Sequence, residues 1–264
     1  MNEQIIRTHV KHESAKASHY DKEAIHYDAF NEERSVPTNQ LIEKILKEHE
    51  VHSVLDLTCG TGSQVFWLAK RGFDVVGVDI NEKMLAIAQE KANKQKMDIK
   101  FIRGDMRTSQ IGQFEAVLSI FNSIGHLSQQ DFEKSLMNIN NNLRTNGLYL
   151  FDIYNLDYLL YEDNITKLTI DWQKKSGDVI AREIQYSTIN QEGVLASYDI
   201  YHEQKGSASP TISTAYQTLQ VYSAEKLENL LDKSGFRIIK LCSLDGSDFM
   251  QFKTERILTV AQKL

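Results

Sequence analysis

Apolar runs typical of buried strands alternate with helix-like patterns along the middle of the chain. Each run is short and rich in β-branched or aliphatic residues, as in a strand that is covered on both faces of a parallel sheet. The runs begin near Ser53, Phe73, Ile99, Phe114 and Gly147. Apolar residues at helical spacing lie between them, near Ser63, Glu82 and Gln130. This alternation predicts an α/β fold built on a doubly wound, mostly parallel sheet.

The first fifty residues carry helix patterns and no strand pattern. One helix is predicted over residues 15–31, which are rich in Ala, Glu, Lys and Tyr, and another over residues 38–48. We therefore expect residues 1–50 to form a helical unit in front of the α/β core.

The pattern changes in the second half of the chain. Residues 165–222 alternate between apolar and polar side chains, which predicts a four-stranded antiparallel meander. Clusters of turn residues separate the strands, at 175–178, 190–193 and 205–210. An amphipathic helix and two strands then follow, at 223–234, 236–241 and 256–261. The expected division is a core of residues 51–160 and 221–264, with residues 161–220 as an insertion.

A glycine turn follows the first predicted strand, in the segment VLDLTCGTG at residues 54–62. Gly60 and Gly62 stand where the chain turns from strand into helix, and glycine lets backbone amides approach a ligand closely. The next strand ends at Asp79, 17 residues after Gly62. In dinucleotide-binding folds, an acidic residue at about this distance binds the ribose hydroxyls. The pattern therefore predicts a site for a nucleotide-like cofactor.

Two features distinguish this turn from a dinucleotide site. The third glycine of the G-x-G-x-x-G fingerprint is replaced by Val65. Asp56 lies four residues before Gly60, and its carboxylate would repel a pyrophosphate but suits the cationic amino end of a methionine group. The charges therefore favour the sulfonium cofactor S-adenosylmethionine (SAM) over NAD.

These segments resemble the motifs of a known family. Residues 56–62, DLTCGTG, look like the glycine-rich first motif of class I SAM-dependent methyltransferases, and residues 77–79, GVD, look like their second. The segment INEKML at 80–85 and the turn GDM at 104–106 resemble the family segments that flank and recognise the adenine. Thr58 departs from the family, which usually has a small residue there.

The resemblance covers residues 50–155 and, more weakly, the C-terminal segment. It implies a Rossmann-like, seven-stranded, mostly parallel sheet, with SAM as cofactor and S-adenosylhomocysteine (SAH) as product. The implied cofactor ligands are Asp56, Thr58, Gly60, Gly62, Asp79, Ile80, Met84, Asp105 and Met106, with Tyr27 added by an N-terminal lid. The insertion resembles the β elements of small-molecule enzymes of the glycine N-methyltransferase-like group. We expect it to cap the substrate site or to form a homodimer surface.

Polar residues after the fourth and fifth strands are candidates for the acceptor end of the site. His126 is a candidate general base because imidazole titrates near neutral pH; a purely structural histidine is the alternative. The candidate catalytic residues are His126, Asn122 and Tyr154. The candidate substrate contacts are Tyr20, Ser123, Asp152, Asn155, Arg182 and Tyr201.

The composition of the chain limits which binding partners we expect. The 264 residues carry a formal net charge of −6 and no cluster of Lys or Arg interleaved with aromatic residues, which disfavours nucleic acid. Two cysteines cannot build a disulfide framework, and neither an apolar targeting core nor a membrane-spanning run is present. We therefore expect a cytoplasmic protein with no membrane partner. The histidines show no metal-binding spacing, so no metal is expected.

Together these observations predict a SAM-dependent methyltransferase that moves a methyl group to a nitrogen or oxygen of a small molecule by in-line displacement. Two alternatives remain open at this point. One is a methyltransferase that acts on tRNA or protein, and the other is a SAM-binding protein without catalytic activity.

Overall fold

A computed structural model of the chain describes residues 11–21, 24, 27–161, 166–174 and 179–264, without the side chains of 27–34, 166–174, 179, 181 and 183. Its helices are α1 (Tyr27–Glu48), α2 (Ser63–Ala69), α3 (Glu82–Gln95), α4 (Gln129–Asn142), α5 (Leu156–Tyr161) and α6 (Ala224–Lys233), with a 3-10 turn at Ser123–His126. Its strands are β1 (Ser53–Asp56), β2 (Asp74–Asp79), β3 (Lys100–Arg103), β4 (Phe114–Ser119), β5 (Leu143–Tyr154), β6 (Thr166–Lys174), β7 (Val179–Ile189), β8 (Val194–Lys205), β9 (Thr211–Gln220), β10 (Phe236–Ser243) and β11 (Arg256–Lys263).

Seven strands form the central sheet, in the order β10-β11-β5-β4-β1-β2-β3. The five strands from β1 to β5 run parallel, while β11 lies antiparallel between β5 and β10. The predicted doubly wound, mostly parallel sheet is therefore confirmed. The chain order reverses between β1 and β4, and open α/β sheets bind ligands at the carboxyl ends of the strands at such a point.

The two faces of the sheet bury two separate clusters of apolar side chains, because successive residues of a strand point to opposite faces. Val54 of β1 packs with Ile42 of α1 and Val65 of α2 on one face. Its neighbour Leu55 belongs to the cluster on the other face, which includes Phe132 of α4 and Leu227 of α6. Both faces are covered, which explains why the strands read as continuous apolar runs.

The insertion is the predicted four-stranded antiparallel meander, in the order β6-β7-β8-β9. At its base, Ile189, Leu195 and Leu219 pack against Leu156 and Leu159 of α5. Farther out, Tyr186, Tyr198 and Tyr216 are directly opposite one another on neighbouring strands, so they share one face of the sheet. Their exposed fractions are 44%, 49% and 52%, so the described residues leave this aromatic row open to solvent.

The helix predicted over residues 15–31 is wrong for its first part. Residues 17–21 form turns, and α1 begins only at Tyr27. Hydrogen bonds to the core replace helical ones: Ala15 N–H donates to the carbonyl of His126 at 2.8 Å, and the carbonyl of Ala17 accepts from Asn81 Nδ2 at 2.8 Å. Tertiary contacts thus override the high helix propensity of the segment.

No helix within the described ranges is both long enough and apolar enough to cross a bilayer.

Candidate functional site

A cavity of about 420 Å³ lies at the carboxyl ends of β1 to β4. The loops after these strands contribute much of its wall, and residues 15–20 contribute another part. Ten of the residues expected from the sequence line it: Tyr20, Thr58, Gly60, Asp79, Ile80, Met84, Asp105, Met106, Ser123 and His126. The ligand-sized volume and its place at the reversal of strand order mark it as the candidate active site.

The glycine turn after β1 forms the middle of the cavity wall. Gly60 has φ of +53°, and a Cβ built there would meet no protein atom within 4 Å. Its N–H donates to Asp79 Oδ2 at 2.8 Å, which ties the turn to the end of β2. Gly62 does not line the cavity; it has φ of +93°, and a Cβ there would lie 2.6 Å from the ring of Phe66. The two glycines are thus required for different reasons, since only Gly60 borders the ligand space.

Two carboxylates lie under this turn. Asp56 is buried behind the cavity wall, and burial raises its pKa to about 7, with the charge of Asp79 adding to the effect and the N–H of Thr58 opposing it. Burial also raises the pKa of Asp79, although the N–H groups of Asn81, Gly60 and Ile80 oppose the shift. Asp56 Oδ2 is buried without a hydrogen-bond partner among the described residues. An unpaired buried carboxylate beside a second one favours a cationic group in the cavity.

The side of the cavity near β2 and β3 presents apolar side chains and one acid. Ile80, Met84 and Met106 supply the apolar wall. Asp105 holds the guanidinium of Arg107, with Nε 2.9 Å from Oδ1 and Nη2 2.5 Å from Oδ2. Burial opposes ionisation of Asp105, but the hydrogen bonds and charge of Arg107 prevail and lower its pKa. An ionised acceptor flanked by apolar side chains suits a flat heterocycle that carries an amino group.

Residues 12–21, which we call the strap, cross this edge of the sheet from the β4 side to the β2 side. On the β4 side, the hydroxyl of Ser14 accepts from Ser128 N–H at 2.9 Å and donates to Asp131 Oδ2 at 2.7 Å. On the β2 side, Asn81 Nδ2 donates to Asp21 Oδ1 at 2.9 Å. The strap is therefore fastened at both sides of the cavity that it helps to line.

Aromatic and imidazole rings meet where the strap passes the end of β4. Tyr20 Oη lies 2.7 Å from His126 Nε2, and the ring centroid of His19 lies 5.0 Å from that of His126. Burial, together with the charges of His19 and His12, lowers the pKa of His126 to about 3. His126 Nδ1 is buried without a partner among the described residues. His126 is therefore a neutral imidazole at physiological pH, which makes it a weak base but a good hydrogen-bonding group.

Four of the predicted acceptor residues lie behind the cavity wall instead of lining it. Asp152 is fully buried and accepts from the N–H groups of Phe121 and Asn122, and it pairs with Arg256. Asn122 Oδ1 accepts from Tyr154 N–H at 3.4 Å. Asn155 Nδ2 donates to the carbonyls of Gln251 and Thr254. The structure thus contradicts direct substrate contact for Asp152 and Asn155, because their polar atoms hold the loops behind the site.

Replacing Arg256 with leucine is expected to destabilise the fold by about 3 kcal/mol, because it leaves the buried carboxylate of Asp152 without its cationic partner. Urea unfolding of the variant measures this loss. Arg237→Leu is the matched control: Arg237 is exposed on the neighbouring strand β10, so its loss is expected to cost less than about 0.5 kcal/mol. Equal losses in the two variants would show that the Asp152–Arg256 pair does not carry the stability.

Other predicted residues also lie away from the cavity. Arg182 and Tyr201 are on the meander, and none of its described residues lines the cavity. The meander instead contacts the strap, since Thr218 Oγ1 of β9 lies 2.9 Å from His12 Nδ1. The side chain of Tyr27 lies outside the described residues.

Sequence reasoning missed several residues of the site. Asn39 and Gln64 line the cavity from α1 and α2, and both are at least 96% buried. Their positions depend on how α1 packs against α2, and no local sequence pattern predicts that contact. Asn81 was also missed, although an Asn two residues after a strand end and three before Met84 is a helix N-cap signal.

Comparisons with known proteins agree with this site. The family model of the methyltransferase domain matches residues 54–147. A protein of Geobacillus sp. (strain WCH70), named as a methyltransferase without a stated substrate, is 25% identical over 92% of this chain and 99% of its own length. The glycine/sarcosine N-methyltransferase of Parasynechococcus marenigrum is 36% identical over 44% of this chain and 43% of its own.

The fold has solved counterparts. The amino pentose methyltransferase CalS10 of Micromonospora echinaspora, solved with SAM bound, has a TM-score of 0.71 and 18% identity, and the match covers 86% of this chain and 90% of that one. The family match, the relatives and the fold agree with the ordered motifs at the strand ends. The chain is a class I SAM-dependent methyltransferase, and SAM is its cofactor.

Proposed function

We propose that this enzyme transfers the methyl group of SAM to a nitrogen of a small molecule that carries an uncharged amine at the moment of transfer, by in-line displacement. The observation that carries the proposal is the neutral Tyr20–His126 pair at the β4 end of the cavity. The same in-line displacement also serves an oxygen of a small molecule as methyl acceptor. The named activities of two relatives, on glycine or sarcosine and on an amino pentose, support nitrogen.

The residues at the strand ends fit the cofactor. We assign the ribose hydroxyls to Asp79 and the adenine to the side of the cavity lined by Ile80, Met84, Asp105 and Met106. Thr58 and Gly60, in the turn after β1, are assigned to the middle of the cofactor. Asp56 acts from below by its charge, and Gly62 acts by shaping the turn. When bound, SAM supplies an electrophilic methyl group on a positively charged sulfur.

The acceptor end works by positioning. A low pKa of His126 keeps this end uncharged, so an amine in its neutral, nucleophilic form is preferred to an ammonium ion. His126 Nδ1 and the hydroxyls of Tyr20 and Ser123 can hold the acceptor by hydrogen bonds. In this proposal His126 orients the acceptor, and general-base catalysis by His126 is disfavoured because an imidazole with a pKa of about 3 is too weak a base.

Calorimetry followed by a transfer assay tests the proposal. SAM and SAH are expected to bind and NADH is not. A screen of small amines, amino sugars, amino acids and phenols with radiolabelled SAM is then expected to label amines. Labelling of tRNA or protein with none of small molecules would contradict the proposal, and salt-sensitive RNA binding would point to the nucleic-acid alternative. Binding of SAM without turnover of any acceptor would instead leave a SAM-binding protein without catalysis.

We further propose that the meander serves as a homodimer surface. The exposed row of Tyr186, Tyr198 and Tyr216 supports this, as does the absence of described meander residues from the cavity lining. Tyr198→Lys is expected to convert a dimer to a monomer in analytical ultracentrifugation, because it places a charge at the centre of the row. Tyr161→Lys is the control, since Tyr161 on α5 lies outside the meander and is 67% exposed, more than Tyr198. A monomeric parent protein would refute the proposal.

A further inference from the structure

We propose that a buried polar cluster between α1 and α2 binds the amino-acid end of SAM, with Asn39 facing the ammonium group and Gln64 facing the carboxylate. The inference rests on SAM as the cofactor and is independent of the acceptor proposed above. It assigns a role to two residues that no strand-end motif contains.

The cluster is formed by side chains that are almost completely withdrawn from solvent. Ser35, Asn39 and Gln64 are 2%, 3% and 4% exposed, and all three line the cavity together with Ser63. Ser63 Oγ donates to Ser35 Oγ at 2.9 Å, and Asn39 Nδ2 donates to Ser63 Oγ at 3.2 Å. These bonds hold the amide of Asn39 in one orientation.

Two polar atoms of this cluster are left unpaired. Asn39 Oδ1, an acceptor, and Gln64 Nε2, a donor, are buried without hydrogen-bond partners among the described residues. A buried polar group without a partner is unfavourable, so a pair of them at a cavity wall indicates a ligand that supplies the partners. One unpaired acceptor and one unpaired donor on the wall of the same cavity match a ligand end that presents both N–H and carboxylate oxygen.

The order of groups along the cavity places the amino-acid end here. The side near β2 and β3 carries Asp79 and Asp105, which suits the adenosine half, and Gly60 lies in the middle. The cluster at the α1–α2 contact and the residues near His126 form other parts of the wall, which also includes Trp67, Arg71 and Lys91. His126 is held neutral by burial, which disfavours an ammonium group there. The cluster, with one unpaired acceptor and one unpaired donor, therefore suits the zwitterionic end of the cofactor.

Calorimetry with three ligands separates the contribution of the ammonium group from that of the carboxylate. SAH carries the ammonium and the carboxylate, its decarboxylated analogue keeps only the ammonium, and 5′-methylthioadenosine has neither. Gln64→Leu is expected to weaken the binding of SAH about tenfold or more, because only SAH offers a carboxylate. The affinities for the other two ligands are expected to stay within about twofold of those of the parent protein. Asn39→Leu is expected to weaken the binding of SAH and of the decarboxylated analogue to the same extent, and to leave the affinity for methylthioadenosine unchanged.

The controls make the result independent of folding and turnover. Unchanged methylthioadenosine binding reports an intact adenosine half of the site in each variant. Gln89→Leu and Asn93→Leu, two exposed amides on α3 outside the cavity lining, are expected to change no affinity. Equal weakening of all three ligands, or unchanged SAH binding in both cavity variants, would overturn the assignment. Because no acceptor is present, failure of the proposed amine methylation would leave these affinities unaffected.

Discussion

Gly60→Val is expected to weaken SAH binding by at least about 100-fold, equivalent to about 2.7 kcal/mol. A side chain at this position would meet no protein atom within 4 Å, and Gly60 borders the cavity. The added atoms would therefore occupy ligand space without crowding the protein. The backbone of Gly60, at φ of +53°, also adds a strain of about 1–2 kcal/mol for any side chain in the left-handed region.

Gly72→Val separates the steric effect from the strain. Gly72 has φ of +88° and, like Gly60, open space around a built Cβ, but it is exposed after α2 and does not line the cavity. Both variants are expected to lose similar stability in urea unfolding, whereas only Gly60→Val loses SAH binding in calorimetry. Near-normal SAH affinity in Gly60→Val would place the cofactor away from the glycine turn.

Local rules predicted the central part of this site from the sequence. A buried strand reads as an apolar run, and a left-handed turn after it calls for glycine, so β1, the turn at Gly60 and the end of β2 at Asp79 follow from neighbouring residues alone. Parallel strands then bring their carboxyl ends to one edge of the sheet. This is why ten of the expected residues, from loops far apart in sequence, line one cavity.

The errors concern residues whose environment depends on distant parts of the chain. Asp152 has the position of a substrate contact at the end of β5, but Arg256, 104 residues later, lies on the neighbouring antiparallel strand and pairs with it. Residues 15–21 have helix-forming composition, but Asn81 and His126 supply hydrogen bonds that a helix could not use. Such competition between local preference and tertiary contact is decided by packing, which a single sequence does not display.

The pairing of Tyr20 with His126 is expected to control turnover without controlling cofactor affinity. His126→Leu and Tyr20→Phe each break the 2.7 Å contact between Tyr20 Oη and His126 Nε2, so each is expected to lower kcat by about 100-fold, through misplacement of the acceptor. The KM for SAM is expected to change little. His52→Leu is the control, since the side chain of His52 is 83% exposed at the start of β1. Steady-state assays with the amine identified by the screen measure both constants.

The pH dependence distinguishes orientation from general-base catalysis. Burial holds the pKa of His126 at about 3, so the imidazole is neutral above pH 5, and kcat/KM is expected to show no step near pH 6.5 from this residue.

The same low pKa affects stability. Because the pKa of His126 is lower in the folded state than in the unfolded chain, His126 stabilises the fold above pH 6.5, and this stability is lost as the pH falls from 6.5 towards 3. Urea unfolding across this range is therefore expected to show a smaller acid-induced loss of stability in His126→Leu than in the parent. A rate step near pH 6.5 that disappears in His126→Leu would instead assign proton removal to this imidazole, and an identical acid response of both proteins would mean that His126 is not buried in its neutral form.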